Sequence, residues 1–85
     1  MEIKKVVVIG SGTMGSGIAA HLCNANIPVT LLDLKTEISE KARERIYKSK
    51  PPLLLDKSKI NNINTGNINE DFHVVKDADW IVEAV

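Results

Sequence analysis

The chain has 85 residues, 11 of them basic and 11 acidic, which gives a formal net charge of zero. This length allows one small domain and excludes a complete two-domain enzyme, while the balanced charge excludes the basic surface that binds nucleic acid or an anionic membrane. The single cysteine, Cys23, excludes an internal disulfide and favours a reducing cytoplasmic location.

The first half of the chain predicts a strand, a turn, a helix and a second strand. Residues 3–9 include an apolar run, Val6 to Ile9, which is typical of a central parallel strand buried on both faces. The glycine-rich turn Gly10 to Gly15 follows, and apolar residues at helical spacing predict a helix from Ser16 to Ala25. Pro28 to Asp33 is the second predicted strand, so these elements form a right-handed βαβ unit.

The second half of the chain gives weaker local signals. A charged, helix-favouring stretch predicts a helix from Glu37 to Ser49, and two prolines end it. Ile60 to Thr65 is predicted as a short edge strand before a turn at Gly66-Asn67. A short helix is predicted from residue 69 or 70 to residue 76, and Trp80 to Val85 is the last predicted strand.

Side chains outside the glycine-rich turn favour structural roles. We interpret the five asparagines between residues 61 and 69 as a polar loop rather than a ligand-binding ladder. His21 and Cys23 have no second ligand at metal spacing, so we predict neither a metal site nor a catalytic residue there. Trp80 is expected to cover the edge of the core, and Glu83 to be a solvated strand end.

The strongest functional signal is Gly10-x-Gly12-x-x-Gly15 between a strand and a helix. Gly10 permits the tight turn, Gly12 lets a diphosphate approach the backbone, and Gly15 lets the helix pack against the sheet. The helix N-terminus then offers free N–H groups to the diphosphate. Asp33 lies 18 residues beyond Gly15, near the spacing of about 20 expected for an acid that accepts both ribose hydroxyls. A carboxylate there would repel the 2′-phosphate of NADP, so it favours NAD. The alternative to dinucleotide binding is a βαβ turn that binds no ligand.

Four segments of the chain also follow the pattern of a known family: Lys4–Leu22, Pro28–Asp33, Thr65–Asn67 and Asp77–Val85. Together they resemble the NAD-binding part of the 3-hydroxyacyl-CoA dehydrogenases of fatty-acid β-oxidation. The details at Lys50–Leu53 and Thr65–Asn67 are most similar to the long bacterial enzymes that fuse this dehydrogenase to an enoyl-CoA hydratase. The resemblance extends over nearly the whole chain, and its first 33 residues are highly specific.

The resemblance implies a fold, a cofactor and a reaction. The fold is α/β, the first half of a Rossmann-type doubly wound parallel sheet with strand order 3-2-1-4. The cofactor is NAD, and the reaction is oxidation of 3-hydroxyacyl-CoA to 3-oxoacyl-CoA by hydride transfer to NAD. The implied cofactor-binding residues are Gly10, Ser11, Gly12, Thr13, Met14, Gly15, Asp33, Ala84 and Val85.

In the family, the sheet continues after strand four with a second acidic residue, a catalytic histidine–glutamate pair, a serine and an asparagine, and a helical domain follows. None of these stands in residues 1–85, so we expect a partial NAD-binding domain without catalytic residues that is inactive alone. We expect its partner to be either a separately encoded C-terminal half or a second copy bound through strand four. The alternatives are a stand-alone nucleotide-binding module and a non-functional gene remnant.

Overall fold

Four parallel strands lie at the centre of the computed structural model, which describes residues 3–84. Their order in the sheet is β3-β2-β1-β4, which confirms the predicted Rossmann-type order. The central strand β1 pairs with β2 on one side and with β4 on the other. The bounds of the strands are Val6–Ile9 for β1, Val29–Asp33 for β2, Ile63–Asn67 for β3 and Trp80–Glu83 for β4.

The helices connect consecutive strands. Helix α1 spans Thr13–Asn24, α2 spans Thr36–Lys48, and α3 is a single turn over Ile68–Asp71. Two 3₁₀ helices, Lys57–Asn62 and Phe72–Asp77, precede β3 and β4. None of the helices within residues 3–84 is long and apolar enough to cross a membrane.

Helix α1 begins at Thr13, three residues before the predicted start at Ser16. Its N-cap is Gly12, with φ −70° and ψ −164°, so the last part of the glycine-rich turn is already the first helical turn. The backbone of the motif therefore turns sharply at Gly10 and enters the helix almost at once. This places the N-terminus of α1 directly at the carboxyl end of β1.

The prediction of a turn at Gly66-Asn67 was wrong, since both residues belong to β3. The polar-loop interpretation of the asparagines was also wrong, because Asn64 and Asn67 lie in this strand. Pairing with β2 holds β3 in the sheet, with Asn64 opposite Thr30. An edge strand tolerates polar side chains on its exposed face, so the local turn signal is overridden by pairing with a distant strand.

The core lies between the sheet and helices α1 and α2. All of β1 except its last residue is buried, as the apolar run predicts. Trp80 is only half-buried, with 48% of its surface exposed, and its role in covering the edge of the core stays a prediction. The core cluster includes Val6, Val8, Val29 and Leu31 from the strands and Ala19, Cys23, Ala42 and Ile46 from the helices.

Candidate functional site

The turn after β1 requires glycine at its first position. Gly10 has a φ of 103°, a positive backbone angle that residues other than glycine rarely adopt. Its N–H donates to the carbonyl of Leu32 at 2.8 Å, so the turn stays attached to the neighbouring strand β2. The steric role predicted for Gly10 is therefore met by the backbone geometry.

Gly15 lies where α1 passes over the end of β1. A Cβ at this position would lie 1.8 Å from the carbonyl oxygen of Gly10 and 2.9 Å from its carbonyl carbon. Both atoms are backbone, so no side-chain rotation could relieve the overlap. Only glycine lets the helix approach the strand this closely, which matches the predicted role of Gly15.

Gly12 has the opposite surroundings, because a Cβ at this position would meet nothing within 4 Å. It precedes the first turn of α1, whose N–H groups have no partner within the helix. No side chain caps this helix end, and no acidic residue stands in its first turn. Open space, free donors and the positive end of the helix dipole are the features by which helix N-termini bind anionic groups in general.

Asp33, at the carboxyl end of β2, contacts this turn directly. Its Oδ2 accepts hydrogen bonds from the backbone N–H of Ser11 at 2.8 Å and from the Ser11 hydroxyl at 2.5 Å. Its Oδ1 accepts from the N–H of Leu34 at 2.7 Å. The structure thus brings together the two parts of the predicted site that are separated in sequence, the glycine-rich turn and the acid at the end of β2.

These hydrogen bonds set the pKa of Asp33. Partial burial raises the pKa of the carboxyl group, but the bonds from the Ser11 hydroxyl and from the amides of Leu34 and Ser11 outweigh it. The net result is a pKa below the ordinary value of 3.8. Asp33 is therefore ionised at neutral pH and adds a fixed negative charge beside the turn.

We expect Asp33→Asn to reduce the loss of stability in acid. The folded pKa is lower than the unfolded one, so the stability from Asp33 is present above the unfolded pKa and is lost as pH falls through the folded pKa. Urea unfolding at pH 7 and at about pH 3 measures this difference. Asp79→Asn should reduce the loss of stability in acid in the same direction, since Asp79 also has a lowered pKa, set by its hydrogen bonds from the Lys4 and Lys5 amides. An acid dependence in Asp33→Asn equal to that of the wild type would contradict the expectation.

Two residues of the site were not predicted from the sequence. The carbonyl of Ser11 accepts from the hydroxyl of Ser16 at 2.9 Å and from the guanidinium of Arg45 at 3.1 Å. Ser16 follows the motif in sequence, and its small polar side chain at a helix start was an available signal. Arg45 is 34 residues from Ser11 along the chain, so only the packing of α2 against the turn shows the contact.

Of the other predicted cofactor-binding residues, Ala84 directly follows β4, whereas Thr13 and Met14 lie on α1. Ala84 is buried, its N–H donates to the carbonyl of Ile9 at 2.7 Å, and its side chain lies next to Gly15. Val85 lies outside the described residues. Thr13 and Met14 are exposed on the first turn of α1, and an open groove of about 670 Å³ continues from them between α1 and β4.

The remaining candidates stay apart from the turn. Glu83 is exposed, which agrees with its interpretation as a solvated strand end. His21 is exposed on α1, whereas Cys23 is buried in the core. Within residues 3–84, no three histidine, cysteine, aspartate or glutamate side chains lie together in a way that could hold a metal ion.

Comparison with known proteins points to one family. Residues 5–85 match the profile of the "3-hydroxyacyl-CoA dehydrogenase, NAD binding domain" family. A "probable 3-hydroxyacyl-CoA dehydrogenase" of Deinococcus radiodurans is 40% identical over 92 aligned residues, which cover 100% of this chain and 27% of that protein. A relative in Rickettsia felis, named as a trifunctional enzyme of the fatty acid oxidation complex, is 43% identical over 99% of this chain and 13% of its own length.

A solved structure supports the same assignment. The crystal structure of 3-hydroxybutyryl-CoA dehydrogenase from Escherichia coli K12 superposes with a TM-score of 0.81 and 27% sequence identity. The match covers 100% of this chain and 19% of that one. The 85 residues thus span between about an eighth and about a quarter of the length of these three proteins.

Proposed function

Because the chain belongs to the family of NAD-binding domains of 3-hydroxyacyl-CoA dehydrogenases, we propose that its glycine-rich turn and Asp33 bind the adenosine diphosphate half of NAD. The observation that supports this most directly is the contrast between two glycines. At Gly15 a Cβ would overlap the backbone, whereas at Gly12 it would enter open space beside the free N–H groups of α1. This is the arrangement that a diphosphate on a helix N-terminus requires.

The individual residues have different roles in this proposal. Gly12 leaves room for the diphosphate, and the N–H groups of the first turn, from Thr13 to Gly15, donate to it. Asp33 binds the adenosine ribose, and its charge repels the 2′-phosphate of NADP. Ala84, the residue after β4, would lie beside the cofactor, and for Val85, which is outside the described residues, this role rests on the sequence resemblance alone. Gly10 and Ser11 hold the turn in shape.

The whole-protein activity that we propose is oxidation of 3-hydroxyacyl-CoA to 3-oxoacyl-CoA with NAD as hydride acceptor. The names of the Deinococcus and Rickettsia relatives support it. In this proposal residues 1–85 supply part of the cofactor site, and the general base belongs to the part of the relatives that the chain does not cover. A cytoplasmic location, based on the single cysteine, stays a prediction.

Calorimetric titration of the 85-residue chain with five ligands (NAD, ADP-ribose, NADP, nicotinamide mononucleotide and ATP) tests the proposed binding. We expect NAD and ADP-ribose to bind with similar affinity, because both contain the adenosine diphosphate half. NADP should bind about tenfold more weakly or worse, since its 2′-phosphate meets the Asp33 carboxylate. Nicotinamide mononucleotide should not bind measurably. Absence of NAD binding, or equal binding of NADP, would contradict the proposal, and binding of ATP in place of NAD would favour a general nucleotide-binding module.

We also propose that the outer edge of β4 pairs with a second copy of the 85-residue chain. The N–H of Trp80 donates to the carbonyl of Lys5, just before β1, and the N–H of Ala84 donates to the carbonyl of Ile9. The alternate residues Ile81 and Glu83 therefore direct their backbone groups outward. In an antiparallel pair centred on Val82, Ile81 lies opposite Glu83 across the two-fold axis, and the two Glu83 carboxylates stay apart. Such an edge with exposed apolar side chains is a template for strand pairing.

Sedimentation at micromolar concentrations checks this expectation. We expect a dimer for the wild type and a monomer for Ile81→Lys, because a lysine on an edge strand opposes pairing. Leu55→Lys is the control, since Leu55 is 82% exposed and lies away from β4. A stable wild-type monomer, with β4 amides that exchange as fast as loop amides, would show that no second copy occupies this edge. If Ile81→Lys still dimerised, the contact between the two copies would lie outside the edge of β4.

A further inference from the structure

Ser11 is the point at which the hydrogen bonds of the site meet. The residue is only 1% exposed. Its N–H and its hydroxyl both donate to Asp33 Oδ2, and its carbonyl accepts from Ser16 and Arg45. Because partners hold it on both sides, Ser11 cannot shift without breaking several hydrogen bonds.

These contacts fill most of the acceptor capacity of Asp33. A carboxylate offers about four acceptor positions, two on each oxygen. Ser11 takes both positions on Oδ2, and the N–H of Leu34 takes one on Oδ1. About one position is left, and it is on Oδ1.

We propose that Ser11 is a positioning residue that limits Asp33 to one hydroxyl of the adenosine ribose. The inference rests on the proposed function, and it narrows the sequence-based expectation that Asp33 accepts both hydroxyls. The Ser11 hydroxyl is buried, so a ligand cannot replace it at Oδ2 without disrupting the turn. Only Oδ1 remains to accept a hydroxyl, and the second ribose hydroxyl stays hydrated.

The test compares NAD with two analogues, one lacking the 2′ hydroxyl and one lacking the 3′ hydroxyl of the adenosine ribose. For the wild-type chain, calorimetry should show one analogue about tenfold weaker than NAD and the other within about twofold. In Ser11→Ala, Oδ2 regains an acceptor position, so the two analogues should differ by less than about twofold. The ratio of the two analogue affinities decides whether Ser11 has this role. A general loss of stability lowers both affinities equally and leaves the ratio unchanged.

Ser39→Ala is the matched control. The Ser39 hydroxyl is also fully buried, and it donates to the carbonyls of Thr36 and Gly66, away from the site. This variant loses a buried hydroxyl as Ser11→Ala does, but it should keep the wild-type ratio. Asp33→Asn provides a second variant, in which both analogues should bind as weakly as NAD itself.

The outcomes separate this inference from the proposed function. If the wild type binds NAD but both analogues are weakened equally, or if Ser11→Ala keeps the wild-type ratio, the role of Ser11 is overturned. If the wild type does not bind NAD at all, the proposed function itself fails. Should Ser11→Ala not fold, the wild-type ratio together with Asp33→Asn still decides the question.

Discussion

Gly15→Ala is expected to destabilise the fold by about 3 kcal/mol, a large part of the stability of a small domain. The added Cβ would lie 1.8 Å from the carbonyl oxygen of Gly10. Because the Cβ would overlap the backbone of Gly10, α1 would have to move away from β1. Ala19 and Cys23 on the same helix would then lose their packing in the core. The higher helix propensity of alanine, about 1 kcal/mol over glycine, offsets only a minor part.

Urea unfolding of Gly15→Ala and Gly17→Ala measures this effect against a matched control. Gly17 lies in the same helix, but a Cβ there would meet nothing within 4 Å. The same substitution should therefore stabilise the chain at Gly17, by roughly 0.5–1 kcal/mol. A Gly15→Ala variant as stable as the wild type would show that α1 does not pack on β1 as closely as described.

The first half of the fold could be predicted because its signals are local. The apolar run Val6 to Ile9 indicates a strand buried on both faces, and burial of its first three residues confirms this. Gly10 and Gly15 each meet a steric requirement from atoms only a few residues away. Such requirements can be inferred from sequence spacing alone.

The bounds of strand β3 could not be predicted in the same way, because the edge strand predicted over residues 60–65 stops before Gly66 and Asn67, whereas β3 spans Ile63–Asn67. Gly66 and Asn67 favour a turn by their intrinsic preferences, and the surrounding asparagines strengthen that signal. Their place in the sheet depends on pairing with β2, more than 30 residues earlier in the chain. Asn67 still acts as a capping residue, because its side chain accepts from the N–H of Glu70 and so starts the helical turn after β3.

In the candidate site, too, the local features could be predicted from the sequence and the contacts between distant residues could not. The motif spacing indicates where a diphosphate and a ribose would bind, but it does not show that Ser11 donates twice to Asp33. That contact depends on how β1 and β2 lie side by side, since the residues are 22 apart in sequence. The contact from Arg45 depends in addition on the docking of α2.

Gly12→Val is expected to abolish NAD binding while the fold persists. The backbone of Gly12 has φ −70° and ψ −164°, an extended conformation that any residue can adopt. A side chain there would meet nothing within 4 Å in the protein, so valine should change the free energy of unfolding by no more than about 1 kcal/mol. It would, however, occupy the space that the diphosphate needs beside the N–H groups of α1.

Calorimetric titration with NAD, alongside urea unfolding, separates binding from stability for this variant. We expect NAD affinity to fall by more than about 100-fold, to below detection, in both Gly12→Val and Gly12→Ala, because even one methyl group displaces the diphosphate from the helix N-terminus. Gly17→Ala adds the same methyl group to the same helix outside the site, so it should bind NAD as the wild type does. Substitution of Gly12 should therefore lower NAD affinity without unfolding the chain, whereas substitution of Gly15 should lower the free energy of unfolding. If a folded Gly12→Val chain bound NAD with unchanged affinity, the diphosphate would have to bind somewhere other than this turn.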